Sequence, residues 1–453
     1  MHERAPHGLD QKGLSWVSII RLGLVQAALG SIIVLTTSTL NRVMMVELAL
    51  AAVVPGILVG WHYAVQISRP VWGYKSDQGG TRTRWILAGM AILATGGIAA
   101  SASPYIIETW FVPGLLAAFM AFTLIGLGVG ACGTSLLALL ASRTAVHRRP
   151  AAATIVWMMM IAGIVVTAII SGTLLDPFSF KRLLAVTAAT GAIAFGVTVL
   201  AVWGIEHQTA PLSDQTRAPA RSFRLSLSEV WADPEARLFT IFVFMSMLAY
   251  STQDLILEPF GGLLFDMTPG ETTKLSGMQH GGVLIGMALV GVIGTVLARR
   301  KPMILKLFTV WGCLGSALAL AALAFAATVA PQWPLAVNIF LLGLANGAFA
   351  VAAIGSMMML AGHRGGSQAG IRMGVWGAAQ ALSFGLGGFA GTVMLDMARL
   401  ATGSDAVSFM SVFAFEAGLF VLAALIAMRL KTASTGSAAP LPAIPSPRLE
   451  PAE

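Results

Sequence analysis

The sequence predicts an all-α integral membrane protein, with twelve transmembrane helices in two six-helix halves. Three observations predict it. Hydrophobic residues make up 57% of the 453 residues and charged residues only 11%, a balance foreign to ordinary soluble domains. The apolar residues fall into twelve runs, most of them at or above the roughly 20 residues that cross a bilayer. A polar stretch near the middle divides the runs six and six.

The runs cover residues 17–40, 48–72, 85–103, 111–141, 152–175, 183–204, 238–262, 277–298, 303–329, 334–361, 370–395 and 407–429. The longer ones predict tilted helices. Residues 1–16 read as a cytoplasmic tail, 17–205 as the first half and 206–237 as a cytoplasmic linker. The linker carries Pro211, Pro219 and Pro234 among mixed charges. Residues 238–430 form the second half, and 431–453, rich in Ala, Pro and Ser, read as a disordered tail. A weak internal repeat relates the halves. Gly126-Leu-Gly-Val-Gly-Ala131, then Arg143 and Trp157, is echoed by Gly343-Leu-Ala-Asn-Gly-Ala348, then Arg364 and Trp376.

Charge sets the orientation. Of the 28 Lys and Arg residues, only Arg42, Lys181, Arg182, Lys274 and Arg399 fall in outer segments. Excess Lys and Arg marks the cytoplasmic side, so both termini are expected there. The net charge of +8 then reflects topology and contact with anionic lipid, and nucleic acid is not an expected partner. Cys132 and Cys313 both lie inside spans, so no disulfide is expected. No cleavable signal pattern precedes the first span, which is expected to direct its own insertion. No phosphate loop and no nucleophile–base spacing is present, so catalysis is not expected.

The most informative residues are Asp254 and Glu258. They are the only charged residues from Leu238 to Phe265. A carboxylate at the centre of a membrane helix costs about 2.5–3.5 kcal/mol on insertion scales, and such residues mark binding or proton sites. The i,i+4 spacing predicts one shared face, and Pro259 predicts a kink. Arg42 and Glu47 lie at the outer end of the first run, with Arg42 free to pair with Glu47, Asp254 or Glu258. His62 falls near the middle of the second run and His280 near the start of the eighth. Imidazole ligates metals and shuttles protons, and Gly281 and Gly282 would let a flat ring approach the backbone. The glycines of spans four and eleven read as close helix packing. Met158–Met160 and Met357–Met359 read as adaptable, lipid-facing apolar surface.

The loop Gly73-Tyr-Lys-Ser-Asp-Gln-Gly-Gly-Thr-Arg-Thr-Arg84 resembles the loop 2–3 signature of the major facilitator superfamily. Gly73, Asp77, Gly80 and Arg82 match its spacing, although Gln78 stands where a basic residue is usual. The resemblance implies a major-facilitator-like fold and a loop that clamps the cytoplasmic side. It says nothing of cargo.

Three longer segments resemble the signatures of the PucC/LhaA family. They are Leu40-Asn-Arg-Val-Met-Met-Val-Glu-Leu48, Gln253-Asp-Leu-Ile-Leu-Glu-Pro-Phe-Gly-Gly262 and Gly270-Glu-Thr-Thr-Lys-Leu-Ser-Gly-Met-Gln-His-Gly-Gly282. The likeness runs from about Arg21 to Arg429, and the compact Asp77–Gly80 loop looks most like the LhaA type, tied to the core antenna. The resemblance implies a factor in light-harvesting complex assembly, in the inner (intracytoplasmic) membrane of a phototrophic bacterium. It implies bacteriochlorophyll as bound cargo. The implied partners are antenna polypeptides and the machinery of bacteriochlorophyll synthesis and membrane insertion. The implied pigment-binding set is Asn41, Arg42, Glu47, His62, Gln253, Asp254, Glu258, Gln279 and His280, with His62 or His280 as axial ligand to the pigment Mg. Two other readings stay open: proton-coupled transport of an amphipathic solute, and a docking chaperone that binds no pigment.

Overall fold

The computed structural model describes residues 13–69, 72, 81–145, 148–208, 231–297, 303–362 and 369–430, with no side chain described from 354 to 378. The two tails, the middle of the linker, and Gly73, Asp77 and Gly80 lie outside the described residues.

The described chain is helical throughout. The first half holds α1 (Trp16–Glu47), α2 (Val53–Val65), α3 (Arg82–Thr109), α4 (Phe111–Arg143), α5 (Arg149–Leu174) and α6 (Phe180–Val202). The second holds α7 (Pro234–Leu264), α8 (Pro269–Leu297), α9 (Met303–Val329), α10 (Leu335–Gly362), α11 (Ala369–Thr402) and α12 (Asp405–Arg429). Among the described residues, ten helices are long and apolar enough to cross a membrane; α2 is a shorter apolar helix. Caps follow the sequence. Ser15, Ser179 and Ser404 accept from backbone N–H groups of α1, α6 and α12, and Asp233 caps α7 ahead of Pro234.

Consecutive helices run alternately up and down. We call the end where α1 starts proximal and the other distal. Each half has its own apolar core, and each core borrows from the other half. The first takes in Leu255, Val283 and Met287, and the second takes in Met45 and Ala52. The halves meet where α5 packs on α8 and α2 packs on α11.

Two helices depart from expectation. The first was expected to end near residue 40, but α1 continues to Glu47. It does so through two wide π turns, Leu35–Thr39 and Val43–Glu47, which bracket Asn41 and Arg42. The apolar run Val43–Val46 keeps the chain in the buried layer, so Arg42 is only 3% exposed instead of lying in an outer loop. The seventh helix breaks. One segment, Pro234–Asp254, stops at Asp254, and a second, Leu257–Leu264, resumes after it. Pro259 has no N–H for the Leu255 carbonyl four residues back, and its ring crowds that carbonyl. Ile256 instead donates to Gln253 at 3.1 Å, a tighter turn.

Met159 and Met160 were expected to face lipid. They pack against α1 instead, where Gln26 donates to the Met160 sulfur at 3.3 Å and Met159 fills the notch at Gly23.

Candidate functional site at the junction of the halves

The first of the three long motifs lies about two hundred residues from the other two, and all three meet at the distal end of the interface between the halves. Pro259 leaves the Leu255 carbonyl without its helical donor, and the Asn41 side-chain amide donates to it from the other half. This satisfies a buried carbonyl that would otherwise cost free energy. The hydroxyls of Thr39 and Thr273 share a hydrogen bond of 2.9 Å. The Arg42 guanidinium pairs with Glu47 and donates to the Met267 carbonyl at 2.7 Å. It lies flat against Gly262, where an added Cβ would sit 3.0 Å from Nε and Nη2. The glycine is there to admit the guanidinium.

Two more contacts close the same end. Asp176, after α5, accepts from the Thr268 hydroxyl at 2.7 Å and lies 3.8 Å from Lys274 Nζ. Asp396, on α11, accepts from the backbone N–H groups of Ala52 and Val53 at 3.0 and 2.7 Å. A carboxylate of one half thus caps the first turn of α2 in the other. Arg399 steadies it from 3.8 Å and bonds Asp405 at 2.7 Å.

The carboxylates do not share a face, because the helix breaks between them and the i,i+4 rule no longer applies. Glu258 is buried near Thr272 and Arg42, and neither of its oxygens makes a hydrogen bond of ordinary length. Asp254 follows Tyr250 by one turn of α7, and Tyr63 of α2 approaches from across the interface. Phe384 of α11 lies between those rings, with centroids 5.9 Å from Tyr250 and 6.0 Å from Tyr63.

The histidines differ. His62 is 2% exposed and both ring nitrogens are engaged. Nδ1 donates to the Val59 carbonyl at 3.2 Å, and Nε2 accepts from Gln66 at 2.9 Å, with Arg69 bonded to Gln66 in turn. His280 is part-exposed. Its Nδ1 donates to the Ser276 carbonyl at 2.9 Å, and Nε2 has no hydrogen-bond partner among the described residues. His280 shares a helix face with Thr273, which bonds Thr39, and with Met287, which joins the core of the first half. That face looks toward the junction. Nothing lies within 4 Å of a Cβ built on Gly281.

Of the loop motif, Arg82 is described. Its backbone N–H and that of Thr83 donate to Glu206 at 2.8 and 3.0 Å, and its guanidinium donates to the Ala138 carbonyl. Partial burial pushes the Glu206 carboxyl up, but the bonds from Thr83 and Arg82 and the Arg143 charge outweigh it. The net effect holds Glu206 below the usual carboxylate range.

Buried side-chain atoms without a hydrogen-bond partner gather on the motif residues: Asn41 Oδ1, Arg42 Nε, both heteroatoms of Gln253, Asp254 Oδ1, both oxygens of Glu258 and Gln279 Nε2. Native interiors leave few such groups, so their concentration marks a place built for polar ligands or water. Sequence reasoning missed Glu416. It is 0% exposed, and neither oxygen has a partner. Its signal was in plain view, as the only charge between Asp405 and Arg429.

Comparisons with known proteins agree with this architecture. A D-xylose-proton symporter superposes with a TM-score of 0.67 at 13% identity, covering 92% of this chain and 97% of its own. A sulfate-bound peptide transporter gives 0.68 at 13%, covering 93% and 95%. Together they show the major-facilitator fold. Among relatives, the Bacteriochlorophyll synthase 44.5 kDa chain of Rhodobacter capsulatus is 51% identical over 91% of this chain and 95% of its own. Protein PucC of Rhodovulum sulfidophilum is 30% identical over 84% and 86%. Residues 39–435 match the PUCC protein family. With that match spanning both halves and all three motifs, the chain belongs to the PUCC family.

Proposed function

We propose that this protein handles bacteriochlorophyll for antenna assembly, holding the pigment at the junction of its halves and passing it to antenna polypeptides. The reading makes it a carrier rather than a bond-making enzyme, in the inner membrane with both termini cytoplasmic. The observation that carries it is His280. Its Nδ1–H is committed to a backbone carbonyl, which leaves the Nε2 lone pair for a ligand, the tautomer and support that metal-binding histidines use. Bound pigment would supply a Mg ion with a vacant axial position. His280 would fill that position, and the open side at Gly281 would admit the ring's edge. The engaged nitrogens of His62 favour a packing role for it in this conformation.

The test is an absorption spectrum of the protein purified in mild detergent from a pigment-making, antenna-free host. A near-infrared band is expected, lost in His280→Ala and kept in His62→Ala. A colourless parent protein, or a band unchanged in His280→Ala, overturns the reading.

The broken α7 favours a second reading, proton-coupled transport of an amphipathic solute, since transporters place substrate and ion sites at discontinuous helices. That reading requires proton-dependent flux in vesicles, abolished by Asp254→Asn.

A further inference from the structure

Glu416 sits where the fold has least use for a charge. It lies near the middle of α12, about 16 Å from the helix start at 1.5 Å per residue. Phe409, Phe413, Phe420 and Ala423 share its face, and each is 0% exposed. Phe409 and Phe413 pack edge-on against Phe260 of α7. A glutamate thus occupies one position in an otherwise apolar stripe. Gln253 of α7 lies on the buried stripe of Phe242 and Ala249, which enters the same core. It is also 0% exposed, with both side-chain heteroatoms unpartnered.

No described cation reaches this place. The elements packed against α12 are α7, α9 and α11, and α10, which has no titratable side chain, touches it where Phe349 meets Phe420 edge-on. On these, Arg237 stands at the proximal start of α7. Lys306 donates to the Leu430 carbonyl at the proximal end, and Arg399 is bound to Asp405 at the distal end. The remaining titratable groups are Glu235, Tyr250, Asp254 and Glu258 on α7, Cys313 on α9 and Asp396 on α11, with the Arg372 side chain of α11 outside the described residues. An ionised carboxylate with neither counter-ion nor hydrogen bond is too costly in such a core, whereas the neutral acid is tolerated.

We propose that Glu416 is a proton-binding site of the second half, holding its proton as the neutral acid in the apolar face of α12. The inference goes beyond the pigment reading and stands apart from it, because it concerns the resting protein without cargo.

The test is infrared difference spectroscopy of the full-length protein in lipid nanodiscs at neutral pH. The carbonyl band of a protonated carboxylic acid is expected, lost in Glu416→Gln and retained in Glu258→Gln. A Glu416→Gln spectrum with the band undiminished overturns the site. If Glu416→Gln fails to accumulate, isotope-labelled glutamate in the Glu258→Gln protein replaces it. A band that does not shift with the label overturns the site, and a band that shifts supports it. A colourless protein with this band intact defeats only the pigment reading.

Discussion

Asn41 shows how one side chain completes a backbone broken elsewhere. Pro259 denies a donor to the Leu255 carbonyl, and the Asn41 amide replaces it. Asn41→Leu should therefore cost about 1–3 kcal/mol, the penalty for a buried acceptor left unmade. Pro259→Ala restores an N–H four residues after Leu255. In the double variant the loss should be smaller than for Asn41→Leu alone, as read from melting temperatures in detergent. An additive or worse double variant would show that the carbonyl is not the cause. At this scale the sequence was partly legible. Asp254 and Glu258 stood out as charges in an apolar run. Their separation into two environments was hidden, because i,i+4 reasoning assumes an unbroken helix. Pro259 announced the distortion, and it could not say which carbonyl would be released or which residue would claim it. Glu416 carried the same signal as Asp254 and was passed over.

At the scale of elements, the closure of the distal end depends on contacts between helices from different halves. Asp396 caps α2 from α11 with two bonds to backbone N–H groups. Hydrogen bonds to a charged group are worth about 1.5–3 kcal/mol each, and 1.5 kcal/mol is already about tenfold in an equilibrium constant. Asp396→Ala should thus shift the protein toward a state open at the distal end. Spin labels on Glu108 and Thr402, exposed on opposite halves at that end, should report a longer distance in the variant. An unchanged distance distribution would mean that Asp396 holds nothing closed. Little of this closure could be read from the sequence. Asp396 and Ala52 are 344 residues apart, and no local pattern links them. The π turns that place Asn41 and Arg42 have no compositional signature either, since any apolar helix tolerates a wide turn.

For the whole molecule, charge-poor runs and a polar midpoint were enough to give two helical halves, because bilayer thickness dictates helix length. How the halves touch came only from the fold. Stability at the proximal end has its own pH signature. Glu206 bonds the first turn of α3 and feels Arg143, and its carboxyl is held below the usual range. A carboxyl lowered on folding adds stability above its unfolded value, and loses it as pH falls through its folded value. Glu206→Gln should therefore melt below the parent at neutral pH. The gap should close as pH drops below about 4.3, the ordinary glutamate value. A gap independent of pH would assign the effect to packing.

The bond from Asn41 to Leu255 ends on a main-chain oxygen, and that has a consequence for how the protein can change over generations. Residue 255 can drift among apolar side chains of similar size without disturbing the joint, because the carbonyl is the same for all of them. Positions 41 and 259 are tied to each other. Losing the amide while the proline remains strands an acceptor, and losing the proline while the amide remains strands a donor. Each single step is penalised, and the paired step is far less so. Descendants of this chain should therefore keep both residues or exchange both, a correlation that joins its two halves across more than two hundred positions.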